Sequence, residues 1–124
     1  MIKNIKEGIA YGIFIENKLV AFSDAMFLDS WEHRNWIYGM FIENGHDSNK
    51  KTIIFCNTFV HKDYRGNGFQ KILRRKMIEK YKGYRFFTRI AQKNKYSIRN
   101  IKGLGFRKLC QERIRGTVVS FYTL

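Results

Sequence analysis

His61-Lys-Asp-Tyr-Arg-Gly-Asn-Gly-Phe-Gln-Lys-Ile-Leu73 (HKDYRGNGFQKIL) is the stretch around which this chain is organised. Ahead of it runs Thr52-Ile-Ile-Phe-Cys-Asn-Thr-Phe-Val60, dense in β-branched and aromatic residues, which reads as a buried strand. Behind it Phe69, Ile72, Leu73, Met77 and Tyr81 recur at helical spacing with basic residues between them. The order is therefore strand, glycine turn, helix. The first-turn N–H groups of such a helix have no backbone partners, and the macrodipole puts partial positive charge at the same end. Gly66 and Gly68 remove the side chains that would hold a bulky anion away from those groups. A phosphate or pyrophosphate is the natural guest. A loop that merely turns a strand into a helix has the same look, so the turn alone leaves both readings open.

Two better-known phosphate motifs are excluded. No Gly-Lys-Ser/Thr follows the turn, so it is not a Walker A loop. A third glycine and a downstream acidic residue are also missing, so it is not a Rossmann fingerprint.

Val60-His-Lys-Asp-Tyr-Arg-Gly-Asn-Gly-Phe69 resembles the acyl-CoA signature of the GNAT superfamily of N-acetyltransferases, a strand ending in valine followed by a Tyr-Arg-Gly-x-Gly turn. Asn94-Lys-Tyr-Ser97-Ile-Arg-Asn100-Ile-Lys-Gly-Leu104-Gly105-Phe106 is similar to a second motif of that family, in the expected order and at the expected distance. The likeness covers residues 52–124. It implies a mixed α/β (α+β) fold with a mostly antiparallel, twisted sheet of six or seven strands and a parallel, splayed central pair. It also implies acetyl-CoA as co-substrate, without a metal, and a primary amine of a protein or small molecule as acceptor. By the same resemblance the backbone of Phe59 and Val60 faces the pantetheine arm. The N–H groups of Arg65, Gly66, Asn67, Gly68, Phe69 and Gln70 hold the pyrophosphate, and Asn94 bonds the pantetheine or its thioester end. Asn94 is an equally good helix N-cap by residue type.

The chain departs from the family pattern at three positions. Lys62 stands where proline is usual, and Gln70 where a second small residue is frequent. Ile101 occupies the place where many members carry the tyrosine that protonates the leaving thiolate. The strand Thr52–Val60 also lacks the carboxylate that the family often uses as general base. Asp24, Asp29, Glu32 and Glu43 are the alternatives, and His61 is the histidine nearest the turn, but no catalytic residue can be named from the sequence.

With 124 residues, 44% of them hydrophobic, the chain has material for one domain, residues 1–124, with a single core. No apolar run reaches the roughly 20 residues of a membrane span and no signal peptide opens the chain, so no membrane partner is expected. Cys56 and Cys110 make neither a disulfide framework nor a zinc site, and His33, His46 and His61 show no metal spacing. Cys56, within the apolar strand, reads as a small core residue. A reducing, cytoplasmic setting is the default.

Residues 10–15 and 19–28 read as a hairpin around a polar turn. Residues 30–36 read as a loop or short helical turn, and 37–42 (IYGMFI) as a third strand. About nine residues precede the hairpin, so the N-terminal helices usual in the family are reduced or missing. Either the acceptor wall is open or a partner chain supplies it, in the simplest case a second copy as a homodimer. Beyond the turn the expected elements are a helix to about Lys80, a strand over 84–91 parallel to 52–60, a helix over 95–102, and a closing hairpin over 106–124.

Charge is uneven. Residues 1–60 hold six Lys/Arg against seven Asp/Glu, and residues 61–124 hold eighteen against three. CoA phosphates need only part of that excess. Lys71, Arg74, Arg75, Lys80 and Lys82 form its densest run. The surplus points to nucleic acid or an acidic protein docking on the basic half, or to a plainly solvated surface. A GNAT-shaped binding protein with weak catalysis is thus the alternative to an acetyltransferase.

Overall fold

The computed structural model describes residues 2–6, by backbone alone at 4–6, and residues 9–124. Among the described residues seven strands and three α-helices follow one another. They are β1 (Ile2–Lys6), β2 (Ala10–Ile15), β3 (Lys18–Phe27), α1 (Arg34–Glu43), β4 (Thr52–Val60), α2 (Phe69–Lys80), β5 (Arg85–Ala91), α3 (Lys95–Gly103), β6 (Arg107–Ile114) and β7 (Thr117–Thr123). The strands form one sheet in the order β1-β2-β3-β4-β5-β7-β6. β1–β2, β2–β3, β5–β7 and β6–β7 pair antiparallel. β4 and β5 pair in parallel, as a strand–helix–strand crossover requires. Their ladder holds only Thr52↔Arg85, Ile53↔Phe86 and Ile54↔Phe87, although β4 runs on to Val60 and β5 to Ala91.

The chain divides into two units. One comprises residues up to Met26 together with Phe55–Gly83. Within it Leu73 and Met77 of α2 are buried, as are Tyr11, Ile13 and Ala21 of the β2–β3 hairpin. Glu16 and Asn17 turn that hairpin with φ of 51° and 66°, the left-handed pair of a two-residue loop. The other unit comprises Phe27–Ile54 and Tyr84–Leu124. Its core is an aromatic column. The Phe41 and Phe87 rings meet at 5.4 Å, Phe87 stacks on Phe121 at 5.8 Å, and Trp36 stands edge-on to Phe121 at 5.7 Å.

Four expectations are corrected. Residues 37–42 are helix rather than strand, because Ile37, Met40 and Phe41 are buried at i, i+3, i+4 spacing while Ile42 is 61% exposed. Six apolar residues are too few for periodicity to separate the two, and the polar residues from Arg34 supply the first turn. The reduction of helices ahead of the glycine turn therefore takes the form of one helix, α1, and a 3-10 turn at Leu28–Ser30. Residues 2–6, read only as leader to the hairpin, form a strand on β2. Cys56 is exposed, because burial along β4 ends at Phe55, just past the ladder with β5.

The buried stripe of α2 is also turned from the expected one. Gln70, Leu73, Arg74 and Met77 are inside, while Ile72 is 39% exposed. Arg74 thus leaves the exposed basic run. Its side chain is buried, with the guanidinium 5.0 Å from the centre of the Phe55 ring.

Candidate functional site

The turn between β4 and α2 is built by its own polar groups. The His61 N–H donates to the Val20 carbonyl at 2.7 Å, tying the end of β4 to β3. His61 Nδ1 then accepts from the Asp63 N–H at 3.1 Å, which caps a 3-10 turn over Lys62–Tyr64. Arg65 Nε donates back to the Val60 carbonyl at 3.2 Å, and Asn67 Nδ2 to the Tyr64 carbonyl at 2.9 Å. Tyr64 stacks on Phe69, the first residue of the helix. Arg65 and Asn67 are exposed, yet each turns a donor onto a carbonyl of the loop itself. The backbone at Gly66 and Gly68 is left uncovered by any side chain of its own.

Gly66 and Gly68 have φ of 86° and 73°, a region costly for any residue with a Cβ. A Cβ built at either would meet nothing within 4 Å, so the space beside both is open. Gly68 is the N-cap of α2 and offers no side-chain cap. The first intrahelical bond runs from the Ile72 N–H to the Gly68 carbonyl, so the N–H groups of Phe69 and Lys71 have no intrahelical acceptor. The first turn carries no acidic residue to offset the dipole. Open space beside two left-handed glycines, at a helix N-terminus without a side-chain cap, leaves room for an anion to approach the backbone.

The other expected residues are placed as follows. Phe59 is 40% exposed at the end of β4, its ring edge-on to Phe22, and Val60 is half-buried. The Gln70 side chain lies on the buried face of α2. In the other unit Asn94 caps α3, its Oδ1 accepting from the Ser97 N–H at 3.2 Å. That use leaves Nδ2 as the donor for a ligand. Ile101 is wholly buried.

Among the carboxylates, Asp24 is joined to β4. Its Oδ1 accepts from the Asn57 N–H at 2.8 Å and its Oδ2 lies 3.5 Å from Asn57 Nδ2. Asp29 accepts from the Tyr38 hydroxyl, beside a cavity of about 360 Å³ that Lys50 and Lys51 also line. Glu32 sits 3.4 Å from His33 on the surface, and Glu43 is exposed at the end of α1. Among the described residues no three His, Cys, Asp or Glu side chains gather where one metal ion could hold them. No helix among them is long and apolar enough to cross a membrane.

Solved structures share this architecture. An N-acetyltransferase from Staphylococcus aureus Mu50 superposes with a TM-score of 0.68 over 93% of this chain and 69% of its own, at 13% identity. A GNAT-family acetyltransferase from Streptococcus agalactiae matches at 0.67 over 94% and 64%, at 19% identity. The fold is that of the GNAT N-acetyltransferases. A Salmonella typhimurium acetyltransferase described with acetyl-CoA shares the GNAT fold at 0.67, over 93% of this chain and 62% of its own, at 16% identity. The chain spans under two thirds of the length of two of these three proteins, 64% and 62%. No family model matches the sequence, and no curated protein matches it at a significant level.

Two buried arginines escaped the sequence reading. Besides Arg74, Arg85 opens β5 with its guanidinium 4.2 Å from the centre of the Phe41 ring. For Arg74 a signal existed. Positions 70, 73, 74 and 77 are an i, i+3, i+4, i+7 set, hidden because two of its members are polar.

Proposed function

We propose that this chain is an acyl-CoA-dependent N-acyltransferase that moves an acetyl group from acetyl-CoA to a primary amine of a protein or small molecule. The observation that carries the reading is the loop at the N-terminus of α2, where left-handed Gly66 and Gly68 border open space and the side chains of Arg65 and Asn67 each bond a backbone carbonyl. The co-substrate supplies an activated acetyl thioester. The chain supplies position. Backbone N–H groups of residues 65–70 hold the diphosphate, the backbone of Phe59 and Val60 follows the pantetheine arm, and Asn94 donates through Nδ2. Asp24 is the carboxylate bonded to β4, and it is assigned to take the proton of the acceptor amine. No tyrosine stands at position 101, but a thiolate of reference pKa about 8.5 leaves with little help.

Calorimetric titration with acetyl-CoA, followed by a thiol-release assay over a panel of amines, tests the reading. One-to-one binding with amine-dependent thiol release is the expected result. Binding without release from any amine would favour a GNAT-shaped binding protein, and absence of binding would overturn both.

A further inference from the structure

The second unit carries a concentration of positive charge that the acetyl-transfer reading leaves unused. Residues 92–116 hold eight Lys/Arg against the single acid Glu112. All eight, Lys93, Lys95, Arg99, Lys102, Arg107, Lys108, Arg113 and Arg115, are exposed. The two ion pairs recorded among the described residues join histidines to carboxylates, and neither involves a lysine or arginine. Among the described residues no ion pair neutralises this charge.

It is also ordered. Lys95, Arg99 and Lys102 recur at i, i+4 and i+7 on α3, a row about 10 Å long. A row of that length can face successive phosphates of one strand. Gln92 N–H donates to the Val118 carbonyl at 2.9 Å, bringing the approach to α3 beside the β6–β7 turn. There Gln92, Lys93, Gly116, Thr117 and Val118 line a cavity of about 300 Å³. Arg113 Nη1 reaches the Gly116 carbonyl at 3.3 Å, and Arg115 holds φ of 49° in the same turn. Lys93 thus lines the opening, and Arg113 and Arg115 belong to the turn that forms its other wall. Tyr96, 53% exposed in the first turn of α3, offers a ring face beside the row.

We infer that this end of the molecule binds single-stranded nucleic acid, with a phosphate seated among Lys93, Arg113 and Arg115, its neighbours along Lys95, Arg99 and Lys102, and a base on Tyr96. Regular cation spacing and an exposed ring suit a repeating phosphate backbone with stackable bases better than the irregular carboxylates of an acidic protein. The inference does not rest on acetyl transfer.

The test is fluorescence anisotropy with labelled RNA and DNA single strands of about 20 nucleotides. With six cations engaged, raising salt from about 50 to 200 mM weakens parent binding about 300-fold, and only about 20-fold in Lys93→Gln/Arg113→Gln/Arg115→Asn. Asparagine at 115 keeps the left-handed turn. Tyr96→Ala costs about tenfold, whereas the α2 control Lys76→Gln/Lys82→Gln, on and just beyond that helix, stays within about twofold of the parent. Saturating acetyl-CoA leaves the oligonucleotide bound. The inference is overturned if the parent shows no salt-sensitive binding, if the triple variant binds like the parent, or if the α2 control loses as much. It is also overturned if acetyl-CoA or polyglutamate displaces the strand at equal charge. Should the triple variant fail to fold, photocrosslinking of the parent to 4-thiouridine RNA decides, since crosslinks outside residues 92–118 refute the placement.

Discussion

The guanidinium of Arg74 lies over the ring of Phe55, buried, and its Nε and Nη1 have no hydrogen-bond partner among the described residues. Burial pushes its pKa down to about 10, with the Cys56 side chain acting weakly the other way. A ring face recovers only part of the hydration lost by a buried cation. Arg74→Met should therefore raise stability by about 1–3 kcal/mol, read as a higher Tm by calorimetry. A lower Tm would mean the guanidinium is satisfied by a partner that this geometry does not contain.

Gly68→Val should abolish most acetyl-CoA binding while the domain still folds. The Cβ meets nothing, so the variant carries only the left-handed backbone cost of about 1–2 kcal/mol. Gly83→Val is the matched control, since Gly83 has φ of 95° in equally open space beyond the far end of the same helix. Equal loss of affinity in both variants, measured by calorimetry, would move the cradle elsewhere.

Arg65→Ala should weaken acetyl-CoA binding far less, by about tenfold or under, because Nε is committed to the Val60 carbonyl and backbone groups carry the contact. For the parent, acetyl-CoA at about 100 times its Kd should add about 2.7 kcal/mol of stability. A thermal shift titration checks both.

The two thiols should separate by reactivity. Burial, then Glu112 and Glu43, push the Cys110 thiol above its ordinary value, and Lys108 only partly opposes them. Only the thiolate is alkylated, so a raised pKa shifts the rate profile to higher pH. In Cys56→Ser the iodoacetamide rate should keep rising past pH 9.0, the ordinary thiol value. In Cys110→Ser the exposed Cys56 should react faster at pH 8. A faster Cys110 there would contradict the assignment.

Glu16→Asn should stabilise the first hairpin by about 0.5–1 kcal/mol, because asparagine tolerates the φ of 51° that glutamate must hold. Denaturant titration at constant m-value reads the gain.

Most of the framework was legible from the chain. Thr52–Val60, the glycine pair and the α2 periodicity fix a parallel crossover, because each demands its own backbone geometry. The glycine turn was legible for the same reason, since both positions take a positive φ that glycine adopts without cost. What the sequence concealed is decided by tertiary context. IYGMFI suits either period, and only burial of Ile37, Met40 and Phe41 in the aromatic column selects the helix. Arg74 and Arg85 lie inside because ring faces receive them, and composition assigns arginine to the surface. Cys56 turned outward because β4 loses its partner β5 two residues earlier.

The aromatic column has an optical consequence. The chain has two tryptophans, and both Trp31 and Trp36 belong to the second unit, their rings 6.4 Å apart. Trp31 also lies under the Arg89 guanidinium at 5.0 Å. Indole emission excited at the red edge therefore reports this unit alone, and the unit that holds the glycine cradle contributes no indole signal. Melting followed by that emission and by far-ultraviolet circular dichroism gives two independent traces. Coincident midpoints mean one cooperative transition, and separated midpoints tell which half of the protein lets go first.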